Sequence, residues 1–185
     1  GTYEYSRQIW YFHDPQSYFV VRIAAVLDLL TFSSYSGTAV LFSLISFIGA
    51  WLMFITFYKM APELHRWAAV ACLFIPSVFF WGSGIYKDTI TLAALGVAFY
   101  CMYKVAMERK ISLPYILIFL LSVWIIFSIK KYILLCFAPV MMVWAFTRMF
   151  SRIRSVVFKL LVMPVAIVPV LFLSFFVVSK IGEDD

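Results

Sequence analysis

Polar and apolar positions in this chain come in blocks rather than in an alternating or helical period. Long uncharged runs are punctuated by short charged segments. A hydrocarbon layer of about 30 Å takes roughly 20 helical residues to cross, and six runs meet or approach that length: 37–58, 67–82, 89–105, 113–129, 132–147 and 157–179. Lys59 closes the first, and Pro76 is expected to kink the second, because proline removes a helical N–H and crowds the preceding turn. Only Lys130 and Lys131 separate the fourth run from the fifth, which predicts a tight antiparallel hairpin or one longer bent element. An earlier apolar stretch, 17–32, is interrupted by Arg22 and Asp28. A charge at the bilayer centre costs about 2.5–3.5 kcal/mol on insertion scales, so this stretch predicts a helix lying along the interface. The fold expected is an all-α, polytopic transmembrane helical bundle of about six spans plus an N-terminal interfacial helix. Its parts are an outer-face loop (1–16), the interfacial helix (17–32), the membrane domain (37–179) and an outer-face tail (180–185).

Composition sharpens this picture. Of 185 residues, 65% are hydrophobic and 13% charged, with a mean hydropathy of +0.99, against about half and about a quarter in soluble domains. A soluble fold of this size has too much surface to hide so many apolar side chains. The 20 Phe, 11 Tyr and 6 Trp fit lipid-facing helices with aromatic belts. Cys72, Cys101 and Cys136 lie inside apolar runs without CxxC spacing, so neither a metal site nor a disulfide framework is expected. The opening "GTYEYSRQIWYFHDPQS" lacks the apolar core of a signal peptide. With a first residue other than Met and a tail that leaves a helix and stops, the chain reads as a segment of a longer protein.

The net charge of +6 is distributed as punctuation, not as a stripe for nucleic acid. Assigning loops alternately to two sides puts Lys59, Arg66, Lys104, Arg109, Lys110, Arg148, Arg152, Arg154 and Lys159 with Glu63 and Glu108, a balance of +7. The other side holds Arg7, Arg22, Lys87, Lys130, Lys131 and Lys180 with seven acids, a balance of −1. Cytoplasmic loops carry the excess of Lys and Arg. The loops at 59–66, 106–112 and 148–156 are therefore expected in the cytoplasm, and both visible ends outside a bacterial inner membrane.

The outer side concentrates the candidate chemistry. In "FWGSGIYKD", Gly82 and Gly84 allow a tight turn, and Lys87 and Asp88 begin the next helix, where free amides and a lysine favour anions. Arg22, Lys130 and Lys131 fall on the same side, so Arg22, Lys87, Asp88, Lys130 and Lys131 form a candidate site for a phosphate-bearing headgroup. Lysines at helix ends also anchor helices without binding anything, and Lys87-Asp88 reads equally as an N-terminal cap. Asp14 and Asp28 are the candidate general bases for transfer to an acceptor hydroxyl, with His13, Trp10 and Tyr18 near Asp14 in sequence. For both acids, a cap, turn or ion-pair role competes with catalysis. His65 falls in a predicted cytoplasmic loop, where it is solvated. Neither a metal site nor a cofactor motif stands in the sequence.

Three stretches, "SYFVVRIAAVLDLLTFSSYSG", "FIPSVFFWGSGIYKDTITLAALG" and "SIKKYILL", resemble multi-spanning proteins of bacterial surface-polysaccharide clusters, which are similar to GT-C-type glycosyltransferases and O-antigen polymerases. The resemblance covers most of residues 17–139 and implies a catalytic acid in an outer loop, here Asp14, followed by an interfacial helix. The chain departs from that pattern in lacking a first spanning helix and a paired acidic motif, and in carrying Lys131 where proline is expected. The resemblance implies a membrane-embedded glycosyltransferase or polysaccharide polymerase acting on polyprenyl-phosphate-linked sugars at the outer face, with membrane lipid, a polyprenyl-linked saccharide and other membrane subunits as partners. The alternatives are a non-catalytic subunit of a membrane complex and a transporter of lipid-linked substrate. The transporter fits less well, since the charges sit at helix ends and not at the midplane.

Overall fold

The computed structural model describes residues 14–108 and 112–134, with 136–137 and 140–141 beyond them. Most of the expected fifth run, all of the sixth, the loop at 148–156 and the tail lie outside the described residues, as do His13 and Trp10. Among the described residues the chain is all-helical, with no strand. Helix α1 spans Pro15–Leu30, α2 Tyr35–Met60, α3 His65–Ala69, α4 Pro76–Gly82, α5 Lys87–Ala106 and α6 Leu113–Ile129.

Local chemistry accounts for the boundaries. Asp14 caps α1 by accepting the Gln16 N–H, and Pro15 occupies the first turn, where its missing N–H costs nothing. The helix expected over 17–32 therefore starts about two residues earlier. Ser34 caps α2 in the same way. The second expected run is broken in three: α3, a π-helical turn over Val70–Phe74, and α4, with a bend of 42° at the break. Ile75 is extended there because it precedes Pro76. Lys130 interrupts the helix with an extended backbone, and residues 131–134 are helical again, so the element bends at the lysine pair.

Two helices, α2 and α5, are long and apolar enough to cross a membrane, and the bent segment makes a third if taken as one span. Helix α6 is apolar but has 17 residues. A six-span bundle extends beyond what the described residues contain.

Helices α2 and α5 run parallel. Lys59 at the end of α2 reaches Glu108 just past the end of α5, at 3.0 Å. The start of α5 is instead joined to the end of α6 by the Lys130–Asp88 pair. Twenty residues of α5 separate these two levels by about 30 Å. The segment 61–86 thus crosses the full length of the bundle from one end to the other, through the broken helix. Helix α5 packs chiefly against α2 and α6. The α2–α5 crossing is very close: a Cβ on Gly49 would lie 2.4 Å from the Ala93 Cα, and one on Gly96 2.0 Å from the Gly49 carbonyl oxygen.

What is buried is mostly small: Ala50, Ala93, Ala94, Ala98, Ser46, Ser122 and Thr56. What is exposed is large, including Leu44, Phe47, Trp51, Leu117, Leu120, Trp124 and Phe127. Water would penalise so continuous an apolar surface, whereas small residues at helix contacts and bulky ones outside suit lipid. Thr56, Ser122 and Ser128 donate their hydroxyls to the carbonyl four residues earlier, so they carry no unmet polar group into the apolar helices.

Helix α1 lies across one end of this bundle. Its first residues meet the start of α5 through Asp14 and Lys87. Phe19 stands edge-on to Trp124 near the end of α6. Val20 packs with Phe42, Ile90 and Ile129, and Asp28 near its far end accepts a hydrogen bond from Thr38 at the start of α2. All these partners belong to one level of the bundle, whereas a helix antiparallel to α2 would meet the middle of α2 with its first turn.

Candidate functional site

The end covered by α1 carries the chemistry. Lys87 and Asp88, adjacent at the start of α5, face different partners. Lys87 Nζ donates to Asp14 Oδ2 at 2.7 Å, and Lys130 Nζ donates to Asp88 Oδ1. One turn of α5 therefore ties down both the start of α1 and the end of α6. The residues concerned lie 73 and 42 positions apart in sequence.

Asp14 is heavily committed. Besides Lys87 it accepts the Ser17 hydroxyl at 2.6 Å and the Gln16 N–H at 3.0 Å. The Lys87 ammonium, helped by the Ser17 hydroxyl, holds its carboxyl well below the usual carboxylate range. A carboxylate so stabilised is a poor proton acceptor. Asp28 is bonded to the Thr38 hydroxyl at 3.1 Å, and its backbone carbonyl accepts the Ser33 N–H; both bonds belong to the turn between α1 and α2. The two expected bases thus both occupy structural positions at opposite ends of α1.

Asp88 is placed differently. It lines a groove of about 330 Å³ with Ser77, Val78, Trp81, Thr91, Leu92, Leu95 and Ile133, and it is the ionisable member of that lining. Sequence reasoning placed Asp88 among binding residues rather than acids. The signal for more was its position one residue after Lys87, where only one of the pair can face α1. A second cavity of about 230 Å³ lies on the α2 side of α4, lined by Ser43, Ser46, Cys72, Gly82 and Leu92 among others.

The lysines are paired but not exhausted. An ammonium has three N–H donors; Asp14 takes one from Lys87, and Asp88 takes one from Lys130. Lys131 lies over the Phe127 ring at 5.7 Å, and the Arg22 guanidinium lies over the Tyr18 ring at 4.6 Å. Neither has a carboxylate partner among the described residues. Arg22 covers one face of the Tyr18 ring. The turn between α4 and α5 contains no positive-φ glycine. Its order comes from Thr89, whose hydroxyl donates to the Trp81 and Gly84 carbonyls.

At the opposite end Glu108 sits between Lys59 and Lys104, at 3.0 and 2.6 Å. This network joins the ends of α2 and α5. Among the described residues no group of His, Cys, Asp and Glu is arranged to hold a metal. His65 accompanies Tyr58 and the Pro62 carbonyl. Comparison with protein-family models, curated proteins and solved structures gives no match for this chain.

Proposed function

We propose that this chain is the membrane-embedded part of a glycosyltransferase or polysaccharide polymerase acting on polyprenyl-phosphate-linked sugars at the non-cytoplasmic face of a bacterial inner membrane. The reading rests on one observation: Lys87, Asp88 and Lys130 meet at one end of an apolar bundle, and Asp88 faces a groove whose other walls are largely apolar. An amphiphile with a charged head and a hydrocarbon chain matches that combination. Among the described residues at this end, Arg22, Lys87, Lys130 and Lys131 are set against Asp14, Asp28 and Asp88, an excess of one positive charge. Free ammonium N–H groups remain for phosphate oxygens in a partly dehydrated layer, where such bonds are stronger than in water.

In this scheme Asp88, which unlike Asp14 and Asp28 lines the groove, replaces them as general base once the substrate phosphate has drawn Lys130 away from it. It takes the proton of an acceptor hydroxyl while that oxygen bonds to the sugar C1. The bond from C1 to the phosphate oxygen breaks, and the electron pair leaves with the phosphate, stabilised by Lys130. The test uses the full chain in nanodiscs with a polyprenyl-pyrophosphate-linked oligosaccharide, following release of polyprenyl pyrophosphate. Asp88→Asn should retain binding and lose turnover by roughly 10²–10⁴-fold, and Lys130→Gln should weaken binding. Absence of both binding and turnover in the parent protein defeats the proposal. A non-catalytic subunit is the second reading, favoured by the mutual neutralisation of Asp14 and Lys87; it forecasts that these substitutions change stability alone.

A further inference from the structure

We infer that α1 is a strap across the cationic end of the bundle, and that Asp14 occupies on Lys87 the place of a ligand's phosphate oxygen. The inference rests on the headgroup site proposed above and adds a built-in competitor to it. The two ends of α1 are held differently. The far end is pinned: Asp28 and Thr31 bond to the Thr38 hydroxyl at 3.1 and 2.8 Å, and the Ser33 N–H reaches the Asp28 carbonyl at 3.0 Å. Phe32 and Ser33 next to this pin take left-handed backbones, with φ of 53° and 60°. Side chains adopt that region only when the surroundings impose it. The Phe32 ring is 94% exposed, so its own packing does not impose the conformation. The turn is thus a strained joint held from the side of α2.

The near end is held to α5 by an ion pair that remains accessible, with Lys87 and Asp14 side chains 33% and 44% exposed. An exposed pair of this kind is worth at most about 1 kcal/mol, so a phosphate carrying more charge than a carboxylate can displace it. Val21, Val26, Leu29 and Leu30 point away from the bundle. Phe19 and Val20 stay packed on Trp124 and on Phe42, Ile90 and Ile129, so displacement frees only Asp14 and the first turn of α1 and uncovers little apolar surface. Lys87 then exchanges one anionic oxygen for another and never stands unpaired.

The strap is tested by binding inorganic pyrophosphate and a polyprenyl pyrophosphate, separately, to the full chain in nanodiscs. Asp14→Asn is the informative variant, because asparagine caps a helix as well as aspartate does while removing the charge that competes for Lys87. It should bind roughly two- to fivefold more tightly than the parent, the factor expected for loss of an exposed ion pair. The gain should vanish in the background Lys87→Gln. In the parent, ligand should speed hydrogen exchange at the first turn of α1 and leave the Thr31–Thr38 turn unchanged. A gain with the lipid probe alone assigns the place to a headgroup, and a gain with both probes assigns it to free phosphate. If Asp14→Asn binds no more tightly than a parent that does bind, Asp14 is only a cap and a staple; the strap falls and the headgroup site stands. If neither protein binds either probe, both fall. Should Asp14→Asn lose helicity, Asp14→Ser, another good cap, takes its place with the same outcomes.

Discussion

At the scale of single residues, charge pairing governs both ends of the bundle, and it can be read by pH. Glu108 lies between Lys104 and Lys59, which together hold its carboxyl down to about 2 from an ordinary 4.5. A carboxylate whose folded pKa is depressed adds stability that is complete above its unfolded value and fades as pH falls toward the folded one. The thermal stability gap between the parent and Glu108→Gln should therefore be widest near neutrality and close between about 4.5 and about 2. A gap independent of pH would show that the acid contributes packing and not charge. Asp14, lowered chiefly by Lys87, has the same sign. The sequence places the paired lysines and acids near helix ends, but who pairs with whom was not legible. Lys130 and Lys131 are neighbours of one type, and only the backbone break at Lys130 directs the first toward Asp88 and the second toward Phe127.

Among the helices, run length was the dependable signal. The fourth run was expected at 113–129 and α6 is Leu113–Ile129; the first and third each gain about two residues at either end or less. Pro76 announced the break, but the π-helical turn before it, where residues 70–74 meet α2, has no sequence signature. The Gly49–Gly96 contact also went unread, although small residues in apolar helices are a known cue for close approach. Here backbone meets backbone, so no rotamer change can make room. Gly96→Ala should cost about 1–3 kcal/mol, the usual penalty of overpacking, measured as a lower unfolding temperature in nanodiscs, with Ala98→Gly costing less. Equal stability of Gly96→Ala and the parent would mean that α2 and α5 are free to separate.

For the whole molecule, the described residues fix relative sidedness. Residues 33 and 84 belong to the end covered by α1, and residue 63 to the end of the Glu108 network. With cysteine placed singly at these positions in a background without Cys72, Cys101 and Cys136, impermeant reagents added to intact cells should label 33 and 84 and spare 63. Labelling of all three, or of 63 alone, would overturn the orientation argued from loop charge. The parallel arrangement of α2 and α5 also constrains how the protein is made. Helices joined by a short loop can enter the membrane as a hairpin and pair at once. Helices α2 and α5 cannot, because the whole bent crossing is synthesised between them. The ribosome must deliver that crossing and then α5 before Gly49 meets Ala93 and Gly96. In the proposed topology α2 waits in the bilayer until then with its close-packing face open, so the window for chaperones and quality-control proteases is set by synthesis of segment 61–86.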